Sequence, residues 1–268
     1  MKNTYTFQKT TATDEALKPL KKSCLANLTS PQDDYWAEMR AKAVLWKIVS
    51  DDSLIGYACV NSQNKLLQFY VIPTYFSKGT LIFQEFLRQQ AIKKALVGTN
   101  NPIFLSLALN EVKKIEIDTY LFRMIHDEVS IEEKEGVFRA CEMGEIEHFL
   151  DFYYDSIEAD KAFMSNYLRK YIEQKGIFAL EKENQIIGVC ELRINPTAPD
   201  FVDIGMVVSP EFRKQGYGTY LLNKAKEEAL LRGKTPICAC DKDNMASFKA
   251  ISNCGFISTC QLLEIVFK

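Results

Sequence analysis

The sequence predicts an α/β protein with two domains, each a mixed β-sheet flanked by helices. Three observations indicate this. The chain has 268 residues, enough for two hydrophobic cores of ordinary size. Strand-like and helix-like hydrophobic periods alternate along it, which is typical of mixed sheets covered on two faces. The second half also repeats the residue spacings of the first half.

Each element of the second half has its own periodic pattern and boundary. We expect a strand near 137–142, helices near 144–157 and 160–174, and strands near 177–182, 185–194 and 201–209. A helix near 216–231, a strand at 236–240, a helix at 245–253 and a strand at 256–267 follow. The turn-forming stretches EKENQ, NPTAP, RGKTP and CGF separate these elements. The first half is expected to repeat this order over about 3–125.

The repeat rests on three shared spacings. Each half has an Ile-Gly strand and then a second strand that ends before a proline, and a glycine follows that proline six residues later. The segments PIFLSLALN and PICACDKDN then have equal length, and equal distances lead from them to Phe122 and Phe256. We therefore predict domains at 1–130 and 136–268, joined by the acidic segment SIEEKEG at 130–136. Two unrelated α/β domains with similar turn residues are the alternative.

The composition limits the classes of partner. Hydrophobic residues make up 47% of the chain, and its formal net charge is −2, so no overall field attracts nucleic acid or an anionic membrane. The N-terminal stretch lacks the apolar core of a signal peptide, and no apolar run approaches the roughly 18 residues of a membrane span. We expect a cytoplasmic monomer or homodimer without a nucleic-acid or membrane partner.

The eight cysteines are expected to stay reduced in that compartment. Cys238 and Cys240 fall on one face of a predicted strand, where period-2 geometry places alternate residues. No second pair of cysteines or histidines accompanies them, so we predict buried packing residues and no metal site.

The stretch VVSPEFRKQGYGTYLLNK, 207–224, joins a strand to a helix through two glycines. Gly216 and Gly218 allow a close approach to the backbone, and amides of the first helical turn lack intrahelical acceptors. Because the helix dipole also favours negative charge there, we expect a diphosphate at this loop, with Arg213 and Lys214 adding charge-assisted contacts. A third glycine and a GxxxxGK[ST] pattern are both missing, which excludes a dinucleotide fingerprint and a P-loop. A tight turn without a ligand is the alternative.

RKQGYG at 213–218 resembles the (Q/R)xxGx(G/A) motif of the GNAT N-acetyltransferase superfamily, and DNMASFKAISNCGF is similar to its later NxxSxxxxxxxGF segment. The resemblance covers 137–268 and, through the repeat, extends more weakly to the first half. It implies two GNAT-like domains and direct transfer of an acetyl or other short acyl group from acetyl-CoA to an amine of a small-molecule acceptor. An acyl-CoA sensor without turnover and a protein N-acetyltransferase are the alternatives.

The resemblance also implies a coenzyme site, with pantetheine lying between two strands that splay apart beside the loop. The implied contacts are Met206, Val207, Val208, Arg213, Lys214, Gln215, Gly216, Tyr217, Gly218, Thr219, Asn244 and Ser247. Helix capping is the alternative for Asn244 and Ser247. The first half has Phe76 and Leu81 where the second has Arg213 and Gly218, so we predict one acyl-CoA site per chain.

The sequence does not single out one residue as the catalytic acid or as the catalytic base. Ile251 occupies the place where many members have a tyrosine that protonates the leaving thiolate. Two carboxylates on neighbouring strands are candidate bases. Asp203 is one residue out of register and needs a bulge to face the cleft, and Glu191 is an equal rival.

Overall fold

The computed structural model describes residues 5–11 and 13–268. They form two compact units, of which the first runs to Tyr120 and also takes in Cys260–Lys268, and the second is Leu121–Thr259. Both units are mixed α/β structures, which confirms the predicted fold class. The domain ranges 1–130 and 136–268 stay a prediction, and the compact units differ from them in giving the last residues of the chain to the first unit.

The first half contains ten helices and strands among its described residues. In chain order they are β1 (Tyr5–Thr10), α1 (Lys18–Ala26), α2 (Asp34–Ala41), β2 (Val44–Ser50), β3 (Ser53–Val60), β4 (Lys65–Val71), α3 (Gly79–Gln89), β5 (Lys94–Gly98), α4 (Pro102–Asn110) and β6 (Val112–Met124). The predicted start of the repeat near residue 3 lies outside the described residues.

The second half repeats this order. Its elements are β7 (Val137–Ala140), α5 (Ile146–Ile157), α6 (Lys161–Glu173), β8 (Ile177–Lys182), β9 (Gln185–Ile194), β10 (Phe201–Val208), α7 (Tyr217–Leu231), β11 (Thr235–Asp241), α8 (Met245–Asn253) and β12 (Phe256–Phe267). Every element predicted for this half is confirmed. The largest differences are two residues, at the end of β7 and at the start of α5, where a 3₁₀ turn at Met143–Glu145 precedes the helix.

The two units also share one strand order. In the first unit β1, β2, β3, β4 and β5 are neighbours in sequence order, and the end of β12 pairs antiparallel with β5. In the second unit β7, β8, β9, β10 and β11 follow the same order, with β6 beside β11. The first unit therefore includes the end of β12 from the second half of the chain, and the second unit includes the end of β6 from the first half.

Hydrophobic periodicity explains how the helices cover these sheets. Helix α3 buries Ile82, Phe83 and Phe86 on one side, and the Phe83 ring meets Phe69 of β4 edge-on, with their centroids 4.9 Å apart. Full burial of such a side chain contributes about 1.5–3 kcal/mol. Among the described residues, no helix is long and apolar enough to cross a membrane.

Candidate functional site

A wedge opens between β10 and β11 in the second unit. The two strands run parallel and pair only at their beginnings, from Phe201 opposite Thr235 to Asp203 opposite Ile237. Beyond Asp203 strand β10 keeps its pairing with β9 on the other side, as far as Val208. The edge of β10 that faces β11 is therefore unpaired near Met206, as the family resemblance implies for the pantetheine site.

The segment after β10 brings backbone amides to the mouth of this wedge. A 3₁₀ turn at Pro210–Phe212 follows the strand, and helix α7 begins at Tyr217. Between them Lys214 and Gly216 take left-handed conformations, with φ of 62° and 87°. The first amides of α7 have no intrahelical acceptor, so they form a concave set of donors suited to an anion.

Positions 216 and 218 of the loop are glycine for different structural reasons. Gly216 is needed for its positive φ, which side chains adopt rarely. Gly218 is helical, and a Cβ at this position would lie 3.8 Å from both Met206 Cε and Val208 Cγ2, which is ordinary contact. Neither the turn nor the packing requires a glycine at 218, so what the missing side chain provides is open space in front of α7.

These elements enclose a cleft of about 720 Å³, within the usual range for small-molecule sites. Ten of the twelve implied coenzyme contacts line it, namely Met206, Val207, Val208, Arg213, Lys214, Gly216, Gly218, Thr219, Asn244 and Ser247. The lining also includes residues that the motifs did not point to, namely Ile157, Ala246, Lys249, Ala250 and Asn253. The helical spacing of the α8 residues from Asn244 onward was the signal that could have identified four of them.

The other two implied contacts, Gln215 and Tyr217, lie outside this lining. The Gln215 side chain donates a hydrogen bond to the carbonyl oxygen of Glu211 at 2.9 Å, which holds the loop together. The Tyr217 ring packs edge-on against Phe212, with a centroid distance of 5.8 Å. Their backbone amides belong to the loop and to the first turn of α7.

Arg213 has a structural role that the motif did not predict. Its Nη2 donates to the carbonyl oxygen of Ser156 at 2.5 Å, and its Nε donates to the carbonyl oxygen of Val208 at 3.1 Å. The guanidinium therefore joins the last turn of α5 to the end of β10. Arg213 still lines the cleft, but two of its donor nitrogens are already used to hold the rim together.

A further cation reaches the loop from the acidic segment 130–136. The Lys134 side chain is 17% exposed, and a Cβ on Gly216 would lie 3.3 Å from its Cε and 3.5 Å from its Nζ. Its ammonium also pairs with Glu132 at 2.6 Å and lies 5.9 Å from the centroid of Tyr217. The sequence assigned this segment only the role of a linker, and nothing local indicated that it packs on the glycine loop.

Asn244 confirms the helix-capping alternative and also lines the cleft. Its Oδ1 accepts a hydrogen bond from the backbone N–H of Ser247 at 3.0 Å, which fixes the start of α8. Ile251, at the place of the missing tyrosine, is buried on the same helix and has no proton to donate.

The two candidate bases share one face of the sheet but differ in their surroundings. Asp203 is 1% exposed, accepts a hydrogen bond from Asn195 Nδ2 at 2.9 Å and reaches this buried position without a bulge in β10. Without that bulge Asp203 stays outside the cleft lining, and its role as a base stays a prediction. Neither Asp203 nor Glu191 lines the cleft directly.

Glu191 lies over Gly205, its neighbour across β9 and β10. Its Oε1 is 2.8 Å from the point where a Cβ of Gly205 would be, so it fills the space that this glycine leaves empty. The carboxylate accepts a hydrogen bond from the Tyr167 hydroxyl at 2.5 Å and pairs with Arg193. Burial, and next the charge of Glu191, raise the pKa of Tyr167 well above its usual value, so the phenol stays a donor.

The first unit lacks an equivalent glycine loop. Its corresponding segment is a 3₁₀ helix at Pro73–Lys78 that leads directly into α3, and no residue from 73 to 81 has a positive φ. Leu81, in the place of Gly218, is 63% exposed. A Cβ on Gly79 would lie 3.3 Å from Leu107, so this glycine serves helix packing.

All eight cysteines are free thiols, and seven of them are buried, including Cys238 and Cys240. This burial confirms their predicted packing role. It also raises the pKa of Cys240 to about 11, so the thiol is a poor nucleophile at neutral pH.

Two protein-family models match the chain. Residues 13–125 match an acetyltransferase (GNAT) domain, and residues 143–256 match the acetyltransferase (GNAT) family. No curated protein matches the sequence.

Several solved structures share the fold. An acetyltransferase of the GNAT family from Colwellia psychrerythraea has a TM-score of 0.93 and 22% identity, covering 98% of this chain and 100% of its own. A GCN5-related N-acetyltransferase from Sphaerobacter thermophilus has a TM-score of 0.67 and 15% identity, covering 97% and 94%. A tandem GNAT protein from the clavulanic acid biosynthesis pathway has a TM-score of 0.64 and 15% identity, covering 97% of both chains. At these identities the likeness is one of fold.

Proposed function

Because the chain carries two GNAT acetyltransferase domains in tandem, we propose that its second unit transfers an acyl group from acetyl-CoA to an amine of a small-molecule acceptor. A GNAT acetyltransferase is the function that the fold and both family models support. The coenzyme, the amine and the size of the acceptor are the proposed part. The cytoplasm is the proposed compartment, since free buried thiols persist in reducing surroundings.

The observation that carries the proposal is the space kept open at Gly218. The glycine is not required by backbone conformation or by packing, and it lines the cleft where the first amides of α7 lie. A diphosphate next to these amides accepts several hydrogen bonds together and interacts favourably with the helix dipole. Lys134, which packs on Gly216, and Lys214, which lines the cleft, add positive charge near the loop.

The unpaired edge of β10 suits the remainder of the coenzyme. Pantetheine carries amide groups, and Met206 to Val208 offer unpaired backbone groups along one wall of the cleft. Acetyl-CoA supplies an acyl group activated as a thioester, so an amine can form an amide without a covalent enzyme intermediate. The protein then has to hold the two partners and accept the proton that the amine loses.

We propose Glu191 as the acceptor of that proton. Its carboxylate occupies the space over Gly205, whereas Asp203 is enclosed and bound by Asn195. Tyr167 and Arg193 fix the position of Glu191. Glu191→Gln should lower kcat at least tenfold with little change in the Kd of CoA, and Asp203→Asn should mainly lower thermal stability. Equal losses of kcat in both folded variants would contradict this assignment.

A sensor that binds acyl-CoA without turnover is the second candidate, and buried Ile251 favours it because the usual acid is missing. Two measurements separate the candidates. Calorimetry with CoA tests binding, and release of free CoA thiol from acetyl-CoA with a panel of small amines tests turnover. Binding with amine-dependent thiol release supports the enzyme, binding without release supports the sensor, and absence of CoA binding refutes both.

A further inference from the structure

The lining of the cleft in the second unit carries positive charge and, among the described residues, no carboxylate. Its charged side chains are Arg213, Lys214 and Lys249. Arg213 already donates to two backbone carbonyl groups. Lys214 and Lys249 are exposed, and neither forms an ion pair with a described acidic side chain. Cations that line one cavity without acidic partners attract anions, so the cleft suits a ligand with several negative charges.

The two lysines belong to different walls of the cleft. Lys214 lies in the glycine loop, two residues before Gly216, and its φ of 62° fixes the course of the loop there. Lys249 lies on α8, where it follows Ala246 by three residues and precedes Asn253 by four. This helical spacing turns the three side chains to one side of α8, and all of them line the cleft.

The start of α7 lies between two walls of different chemistry. A Cβ on Gly218 would lie 3.8 Å from Met206 Cε on β10 and 4.0 Å from the Cβ of Ala250 on α8. The β10 wall is apolar, whereas the α8 wall carries the ammonium of Lys249 and the amide of Asn253. A ligand that crosses the first amides of α7 therefore has an apolar surface on one side and polar groups on the other.

CoA carries its chemical groups in a matching order. In the proposed function, the edge of β10 binds pantetheine and the first amides of α7 bind the diphosphate. The rest of the coenzyme is an adenosine with a phosphate on its 3′ oxygen, attached to the far side of the diphosphate. This part leaves the diphosphate on the side away from β10, where α8 lies.

We propose that Lys249 binds the 3′-phosphate of CoA, so that the cleft binds CoA more tightly than dephospho-CoA. This inference rests on the proposed function. Lys134 and Lys214, both near Gly216, compensate the charge of the diphosphate, and Lys249 on the other wall remains for a separate anion. A phosphate monoester carries a charge of about −1.5 to −2 at neutral pH, and an ammonium offers it three donors on a compact cation.

Calorimetric titration of the full chain with CoA and with dephospho-CoA tests this assignment. The two ligands differ only in the 3′-phosphate, so the ratio of their Kd values measures its contribution. We expect dephospho-CoA to bind the wild type about 3–10-fold more weakly, because an exposed ion pair contributes modestly. The ratio should fall toward one in Lys249→Gln, and Lys249→Arg, which keeps the charge, should retain it. High salt should also reduce the ratio, since exposed charges are screened.

Two further variants serve as controls. Lys214→Gln should weaken both ligands by the same factor and keep the ratio, because both ligands contain the diphosphate. Lys175→Gln removes the same charge from an exposed residue of the second unit outside the cleft lining, so both Kd values should stay at their wild-type level. Because Lys249 has no acidic partner among the described residues, thermal unfolding of Lys249→Gln should match the wild type.

Three results would overturn the proposal. They are equal affinities of the wild type for CoA and dephospho-CoA, an unchanged ratio in Lys249→Gln, and an equal loss of the ratio in Lys214→Gln and Lys249→Gln, which would assign the discrimination to the total charge of the cleft. Equal affinities would leave the proposed acyl transfer intact, because dephospho-CoA carries the same thiol. Absence of binding by both ligands would refute the acyl transfer and this inference together.

Discussion

Gly218→Leu should remove coenzyme binding from this protein without weakening its fold. The Cβ at position 218 meets Met206 and Val208 at 3.8 Å, so the new side chain causes no overlap with the protein at its base. Its remaining carbons extend into the cleft beside the first amides of α7. Leucine is also a better helix former than glycine by about 0.8 kcal/mol, so the free energy of unfolding should stay the same or rise slightly.

The expected loss of affinity follows from the hydrogen bonds that the side chain blocks. A hydrogen bond to a charged group contributes about 1.5–3 kcal/mol. Losing two bonds between amides and diphosphate therefore costs about 3–6 kcal/mol, a rise in Kd of roughly 10²–10⁴-fold. Gly218→Ala adds only the Cβ, which the structure accommodates, and should have a much smaller effect.

Calorimetric titration with CoA, paired with thermal unfolding of each variant, measures both quantities. Gly144→Leu is the matched control, because a Cβ at Gly144 meets nothing within 4 Å and this glycine is exposed, away from the cleft. Its CoA affinity should equal that of the wild type. A Gly218→Leu protein that binds CoA with wild-type affinity would refute the assignment of this cleft to the coenzyme.

Three further predictions follow from single side chains. Arg213→Lys loses the fork that binds the carbonyl groups of Ser156 and Val208 together, so the free energy of unfolding, measured with urea, should fall by about 0.5–1 kcal/mol at this exposed site. An unchanged value would contradict the role of Arg213 in joining α5 to β10. Lys134→Gln should raise the Kd of CoA about tenfold at low salt and less at high salt in calorimetry, whereas equal affinities at low salt would remove this cation from the site. Hydrogen bonds from Lys47 and Thr10 lower the pKa of Asp14 from 3.8 to about 2, so its stabilising effect is present above pH 4 and disappears as the pH falls toward 2. Asp14→Asn should accordingly lower the melting temperature clearly at pH 7 and much less at pH 2, and an equal difference at both values would show that the carboxylate charge is not the cause.

The site could be predicted from sequence only where a local pattern carries the information. The two glycines, the change from period 2 to period 3.6 and the later Asn244 all lie in continuous stretches, so motif spacing located ten residues of the cleft lining. Lys134 was missed because its contact with Gly216 joins positions far apart in the chain, and no pattern around 130–136 records it. Ile157 was missed for the same reason.

The roles of individual charged side chains could be assigned only from the tertiary structure. Arg213 has the position of a phosphate ligand in the motif, yet its nitrogens bind the carbonyl groups of Ser156 and Val208. Asp203 and Glu191 were equal as bases in the sequence, and their different hydrogen-bond partners separate them. Hydrogen bonds depend on the approach of atoms from other elements, which residue type alone does not specify.

The sequence by itself determined the order of helices and strands, the repeat and the loop, because periodicity, turn residues and backbone freedom act over a few neighbouring residues. Only the tertiary structure decided that the end of β12 completes the first unit and that Trp36 Nε1 and Arg40 Nε, in the helix Asp34–Ala41, have no hydrogen-bond partner among the described residues. An alternating strand pattern is the same whichever strand lies beside it, and a buried donor is recognised only when every neighbouring atom has a position.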